Sequence, residues 1–213
     1  MSTAGHVVLL GDSIFDNAAY TEGGPDVVTQ LRGLLPRGWS ATLAAVDGAV
    51  VSSLAGQLAR IPADATHLVV SAGGNDALGH IGLLERDART VGEGLSLLAA
   101  AAEGFATEYR AAVHLLRRRG LPLTLCTIYE GSFPDPTFQR VAAASVALFD
   151  DAILRTAAAA SLPVIELRLV CRAAEDYANP IEPSSVGGAK IARAIVHALG
   201  LSAGTAPSTT FVD

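Results

Sequence analysis

Cysteine is scarce in this chain: two thiols in 213 residues. Two cysteines cannot form the multi-bridge framework of a small secreted scaffold, so the fold must rest on its core. Charge is scarce as well. Charged residues make up 17% of the sequence, against ~25% in ordinary soluble domains. Within that fraction cations are the minority, 15 Lys plus Arg against 21 Asp plus Glu, for a net charge of −6. A nucleic-acid partner is therefore not expected, because phosphates call for a basic stripe. The densest basic run, Arg117 to Arg119, closes a helical pattern, where cations complement the helix dipole. No apolar run reaches the ~20 residues that cross a bilayer, and no basic, apolar leader opens the chain. A cytoplasmic protein with no membrane partner is expected. No group of His, Cys and carboxylates has metal-ligand spacing, and no phosphate-binding loop is present, so neither metal nor cofactor is expected.

What is abundant is apolar: 50% of residues are hydrophobic, and the mean hydropathy is +0.39. A chain of this length is one domain that buries ~70% of its unfolded surface. That domain is assigned to residues 1–200, with a loose tail over 201–213. The apolar surplus belongs in a sheet covered on both faces or at a contact between copies, so a homo-oligomer is a candidate. Short apolar runs at 6–10, 41–46, 67–71, 121–128 and 162–167 read as strands. Helical spacing covers 25–35, 54–61, 90–119 (broken near Gly104), 137–160 and 188–199. Strands alternating with helices predict a parallel sheet with right-handed crossovers. Continuous rather than alternating apolar strands predict that both faces are covered.

Ligands of open parallel sheets sit beyond the carboxyl ends of the strands. The first run is followed by Gly11-Asp12-Ser13 and then Asp16-Asn17, the second by Asp47-Gly48, and the third by Gly73-Gly74-Asn75-Asp76. A serine hydroxyl, a glycine amide and an asparagine carboxamide can converge there as a nucleophile and donors for a developing oxyanion. Asp16 reads as a helix cap. Glu130 and Asp135 fall in a rim loop.

Gly11-Asp12-Ser13, Gly48 and Gly74-Asn75-Asp76 at these positions resemble the blocks of the SGNH (GDSL-like) hydrolase family. The resemblance runs over about residues 6–200. It implies a three-layer α/β/α fold, with a flavodoxin-like five-stranded parallel sheet, and hydrolysis of a small ester or thioester through an acyl-serine. It implies that Ser13 attacks and that Ser13 N–H, Gly48 N–H and the Asn75 side chain hold the oxyanion, with Asp12 supporting the turn. The last block departs from the pattern. Where the family has an aspartate, two residues, and a histidine before proline, this chain reads Asn179-Pro180-Ile181-Glu182-Pro183. Asn179 takes the aspartate position and Glu182 the histidine position.

That leaves Glu182 as the expected base, in an arrangement that needs burial. An ordinary glutamate near ~4.3 returns a proton poorly at neutral pH. Of the five histidines, His6 and His67 fall at strand starts, and His114 and His197 fall within helices. Only His80, five residues past Asn75, lies near the right edge, as a substitute base or a substrate contact. Two readings stay open: a serine esterase with an atypical base, or a non-catalytic protein that binds a small carboxylate or ester on the same scaffold.

Overall fold

The computed structural model describes residues 4–201 and the backbone of 208 and 209. Five strands form the parallel part of the sheet: β1 (Gly5–Gly11), β2 (Trp39–Leu43), β3 (His67–Ser71), β4 (Leu123–Cys126) and β5 (Val164–Ile165). Their order is β2-β1-β3-β4-β5, all parallel. This is the flavodoxin-like order, with its switch point between β1 and β3. Ser208–Thr209, β6, pairs antiparallel with β5. Apart from Leu201 and that pair, the tail expected to be loose lies outside the described residues.

Seven helices connect or flank the strands: α1 (Val27–Leu34), α2 (Leu54–Gln57), α3 (Gly74–Leu78), α4 (Val91–Arg117), α5 (Pro136–Ala159), α6 (Leu167–Val170) and α7 (Ser185–Ala198). Alternation along β1 divides the core. Val8 and Leu10, with Leu68, Val70 and Leu125, pack under α2, α4 and α5. Val7 and Leu9, with Val69 and Ile165, pack under α1, α6 and α7. Both faces are dry, which accounts for unbroken apolar strands in a chain with little charge.

Three differences from the sequence reading have local causes. Helix α4 runs through Gly104 without a break, because Ala101, Phe105, Tyr109, Val113 and Leu116 form one buried stripe. Burial on that scale outweighs the ~1 kcal/mol penalty of one helical glycine. The segment after β3 is not a plain turn: Gly73, at φ +125°, leads directly into α3. Strand β5 is only two residues long, because the Glu166 carboxylate accepts the Arg168 N–H at 3.2 Å and opens α6.

Candidate active site

The turn after β1 is fixed by glycine and by a buried amide. Gly11 has φ +124°, and a Cβ there would stand 1.7 Å from the Ser71 carbonyl oxygen. Asp12 N–H donates to that same oxygen at 3.1 Å. The Gln57 side chain, 3% exposed, clasps Gly11 from the other side, accepting its N–H at 2.8 Å and donating to its carbonyl at 2.7 Å. The backbone is thus locked on both sides of the point where Ser13 is presented. Asp12 Oδ1 accepts the Ile14 N–H at 3.1 Å.

The loop after β2 is tied to this turn and to α3. Asp16 Oδ2 accepts the Asp47 N–H at 3.0 Å, so Asp16 joins two loops rather than capping a helix. Asn75 Nδ2 donates to the Ala49 carbonyl at 3.0 Å, and the Asp76 carboxylate accepts the Val51 N–H at 3.1 Å. One N–H of the Asn75 amide is used in this way, and its geometry leaves the other for a ligand. The backbone N–H groups of Ser13 and Gly48 donate to no group among the described residues. Gly48 is exposed at φ +74°.

Glu182 arrives on the loop before α7. Asp176, fully buried, anchors the base of that loop by accepting the Arg172 and Ala173 N–H groups at 2.9 and 3.0 Å and pairing with Lys190 at 2.5 Å. Burial alone would push the Asp176 carboxyl up, but Lys190 and the two N–H groups outweigh it and hold the carboxyl below its usual range. The Asn179 side-chain oxygen accepts the Ile181 and Glu182 N–H groups at 2.9 and 3.0 Å. The Tyr129 hydroxyl donates to the Ile181 carbonyl at 2.6 Å. Asn17, also fully buried, donates to the Pro183 carbonyl at 3.1 Å while its oxygen accepts the Val27 N–H at 3.0 Å. The peptide units around Glu182 are therefore held from three directions.

The Glu182 side chain is 7% exposed, and its Oε2 is buried without a hydrogen-bond partner. Burial pushes its carboxyl above the usual range, the neighbouring Ser13 hydroxyl draws it part of the way back, and the charge of Asp47 adds to the rise. Asp12 is pushed up to about 8 by burial, against the Ile14 N–H bond, with the charges of Glu182 and Asp76 adding to the rise. Asp76 is raised for the same first reason.

A cavity of about 100 Å³ opens onto this cluster. Its lining brings together Asp12, Ser13, Asn75, His80 and Glu182. Most of the remaining wall is apolar, from Ile14, Leu78, Leu98, Ile128, Phe133, Phe138, Val146 and Phe149. Gly48 and Asn179 are not part of the lining; Asn179 acts on the backbone of Glu182 rather than on its carboxylate. His80 is exposed at the rim, with its ring 6.1 Å from that of Phe149. Of the two rim carboxylates, Glu130 lines the cavity, whereas Asp135 caps α5 by accepting the Thr137 N–H at 2.8 Å. His6 bonds Thr42 at 2.8 Å and Asp64 at 3.1 Å, away from the cavity. Among the described residues no cluster of three or more His, Cys, Asp or Glu is arranged to hold a metal, and no helix is long and apolar enough to cross a membrane.

Gln57, Tyr129 and Asn17 carry much of this geometry and were not singled out from the sequence. Asn17 stands within the first motif, where a buried asparagine at a loop end is a signal for bridging. Gln57 and Tyr129 carry no such signal, because their partners are backbone groups from distant segments.

A family model described as the GDSL-like lipase/acylhydrolase family matches residues 9–188. Among solved structures, a lipase, Lip_vut3, from a goat rumen metagenome aligns with a TM-score of 0.70 at 18% identity, covering 92% of this chain and 97% of that one. LAE5, an alpha/beta hydrolase enzyme from the metagenome of Lake Arreo, Spain, aligns at 0.68 and 19% identity, covering 94% and 97%. Axe2, an acetylxylan esterase from Geobacillus stearothermophilus, aligns at 0.60 and 18% identity, covering 94% and 96%. These likenesses establish the shared fold. No curated protein matches the sequence.

Proposed function

The chain belongs to the GDSL-like lipase/acylhydrolase family, and from that membership and the site geometry we propose that it is a serine hydrolase of small esters or thioesters in which Glu182 takes the place of the family's histidine. The observation that carries this reading is that Ser13 and the buried carboxyl of Glu182 line the same cavity, where burial raises the proton affinity of that carboxyl. A carboxylate near its ordinary value accepts the serine proton poorly and, once protonated, loses it too readily. Burial moves it toward the range in which one group can serve as base and then as acid.

The steps follow from the positions. Glu182 accepts the Ser13 hydroxyl proton as Oγ bonds to the ester carbonyl carbon. The carbonyl electron pair moves to oxygen, and that oxyanion is received by Ser13 N–H, Gly48 N–H and the free N–H of Asn75. Collapse breaks the carbon–oxygen or carbon–sulfur bond, and Glu182 returns the proton to the departing alcohol or thiol. Water repeats the sequence on the acyl-serine, and the acid leaves. Asn179 does not orient the base through its side chain, as an aspartate orients a histidine. It fixes the backbone from which Glu182 projects. The apolar wall excludes water and receives a small acyl or alcohol group. His80 is placed to contact substrate at the rim.

The alternative of a non-catalytic protein that binds a small carboxylate or ester on the same scaffold has no specific observation in its favour. The test is fluorophosphonate labelling together with turnover of nitrophenyl acetate. Labelling of the wild-type chain that is lost in Ser13→Ala supports the reading. Turnover no greater than that of Ser13→Ala, with no labelling, would sink it.

A further inference from the structure

The cavity is lined unevenly by acidic and basic groups. Asp12, Glu130 and Glu182 line it, and among the described residues no Lys or Arg does; His80 at the rim is the only basic side chain in the lining. The Glu182 Oε2 is buried, 7% of the residue being exposed, and has no hydrogen-bond partner among the described residues. A buried acceptor left unpaired favours a ligand that brings a donor or a positive charge.

The aromatic residues point the same way. The chain has only six phenylalanines, yet Phe133, Phe138 and Phe149 all line this one cavity. Phe133 and Phe138 stand edge to face, with centroids 4.9 Å apart and planes at 79°. Glu130 lies three residues before Phe133 and is exposed. Its charge is felt by Arg168, but Arg168 is already engaged by Glu166 at 2.5 Å and Asp150 at 3.4 Å. No cation among the described residues lies within salt-bridge distance of the Glu130 carboxylate. Aromatic faces with a nearby carboxylate are the chemistry that holds ammonium groups. The net charge of −6 also draws cations toward the molecule.

We propose that the cavity takes esters bearing an ammonium group, with the cation held by Phe133, Phe138 and Glu130. This inference rests on the hydrolase reading for its chemistry, but not for its binding. An anionic substrate of the same size is disfavoured at the same place.

The test compares isosteric pairs on the wild-type chain: acetylcholine against 3,3-dimethylbutyl acetate, and betaine ethyl ester against ethyl 3,3-dimethylbutanoate. Each kcat/KM is divided by the ester's rate with hydroxide. At least one pair is expected to favour the cation by about fivefold or more, in line with the usual strength of cation–π contacts. Glu130→Gln and Phe133→Leu are expected to reduce that ratio to below about two. A ratio of one or less in both pairs overturns the proposal. If no ester is turned over and Ser13 is not labelled by a fluorophosphonate, the hydrolase reading has failed and binding decides alone. Saturation-transfer NMR with choline and 3,3-dimethylbutanol then reads the site directly. Stronger transfer to choline that Glu130→Gln removes supports the proposal, and equal or weaker transfer overturns it.

Discussion

Replacing Glu182 by glutamine is expected to separate activity from stability. The side chain is 7% exposed, and Oε2 is buried with no partner. An unsatisfied buried acceptor costs about 1–3 kcal/mol, and more when it carries charge. Glutamine keeps the shape and one acceptor oxygen; its NH₂ takes the orphan position equally unpartnered, so what the substitution relieves is the burial of charge. It also removes the desolvation that raises the carboxyl. Near neutral pH, Glu182→Gln should therefore be at least as stable as the parent, with Tm rising by about 2–8 °C for a domain of this size. The sign has a pH window. A carboxyl raised on folding binds its proton more tightly in the native state, so its contribution falls as pH rises from the unfolded value of about 4.3 through the folded value. The gain of the glutamine variant should grow over that interval and vanish at acid pH. Turnover, by contrast, should fall by about 10³-fold or more, the usual loss when a triad-type base is removed. Thermal melts from pH 4 to pH 9, with nitrophenyl acetate kinetics on the same samples, make the comparison. A variant that melts well below the parent at pH 7 would refute the burial argument, and unchanged turnover would refute the assignment of the base.

Other outcomes follow from the same contacts. Gly11→Ala should fail to fold or lose at least ~3 kcal/mol by denaturant titration, since its Cβ would stand 1.7 Å from the Ser71 carbonyl oxygen at φ +124°. Asn17→Ala leaves the Val27 N–H and the Pro183 carbonyl without their buried partners. It should cost about 2–4 kcal/mol by the same measure and lower turnover further than the unfolded fraction explains. Asp12→Asn retains an acceptor for Ile14 and removes a carboxyl pushed up to about 8. It should flatten the loss of stability between about pH 4 and pH 8 that a raised carboxyl imposes; melts that keep the parent's slope would contradict this.

Most of the fold was legible because it is written locally. The runs 6–10 and 67–71 are apolar without alternation, and the stripe from Ala101 to Leu116 keeps helical spacing for four turns. Such patterns report burial whatever lies opposite. Boundaries failed where a single tertiary contact decided them, as when Glu166 turns β5 into α6 after two residues. The site divides in the same way. Ser13, Asn75 and Glu182 stand beside glycines and prolines that announce sharp turns at strand ends. Gln57 looks like any polar residue of a short helix, and only the fold places its amide against Gly11. The reading of Asp16 as a cap missed for the same reason: the N–H it satisfies belongs to Asp47, 31 residues away. The raised carboxyl of Glu182 is likewise a property of enclosure, which no stretch of sequence contains.

The bond between Asn17 and Pro183 spans 166 residues. It joins the loop after β1 to the loop before α7; Ser13 lies four residues before Asn17, and Glu182 directly precedes Pro183. Contacts of such separation are closed late, because a long loop must be ordered before they form. A chain still emerging from the ribosome, or one cut short before Glu182, would present Ser13 without that carboxyl. Reactivity at Ser13 would then report that the loop carrying Glu182 has docked against the loop after β1.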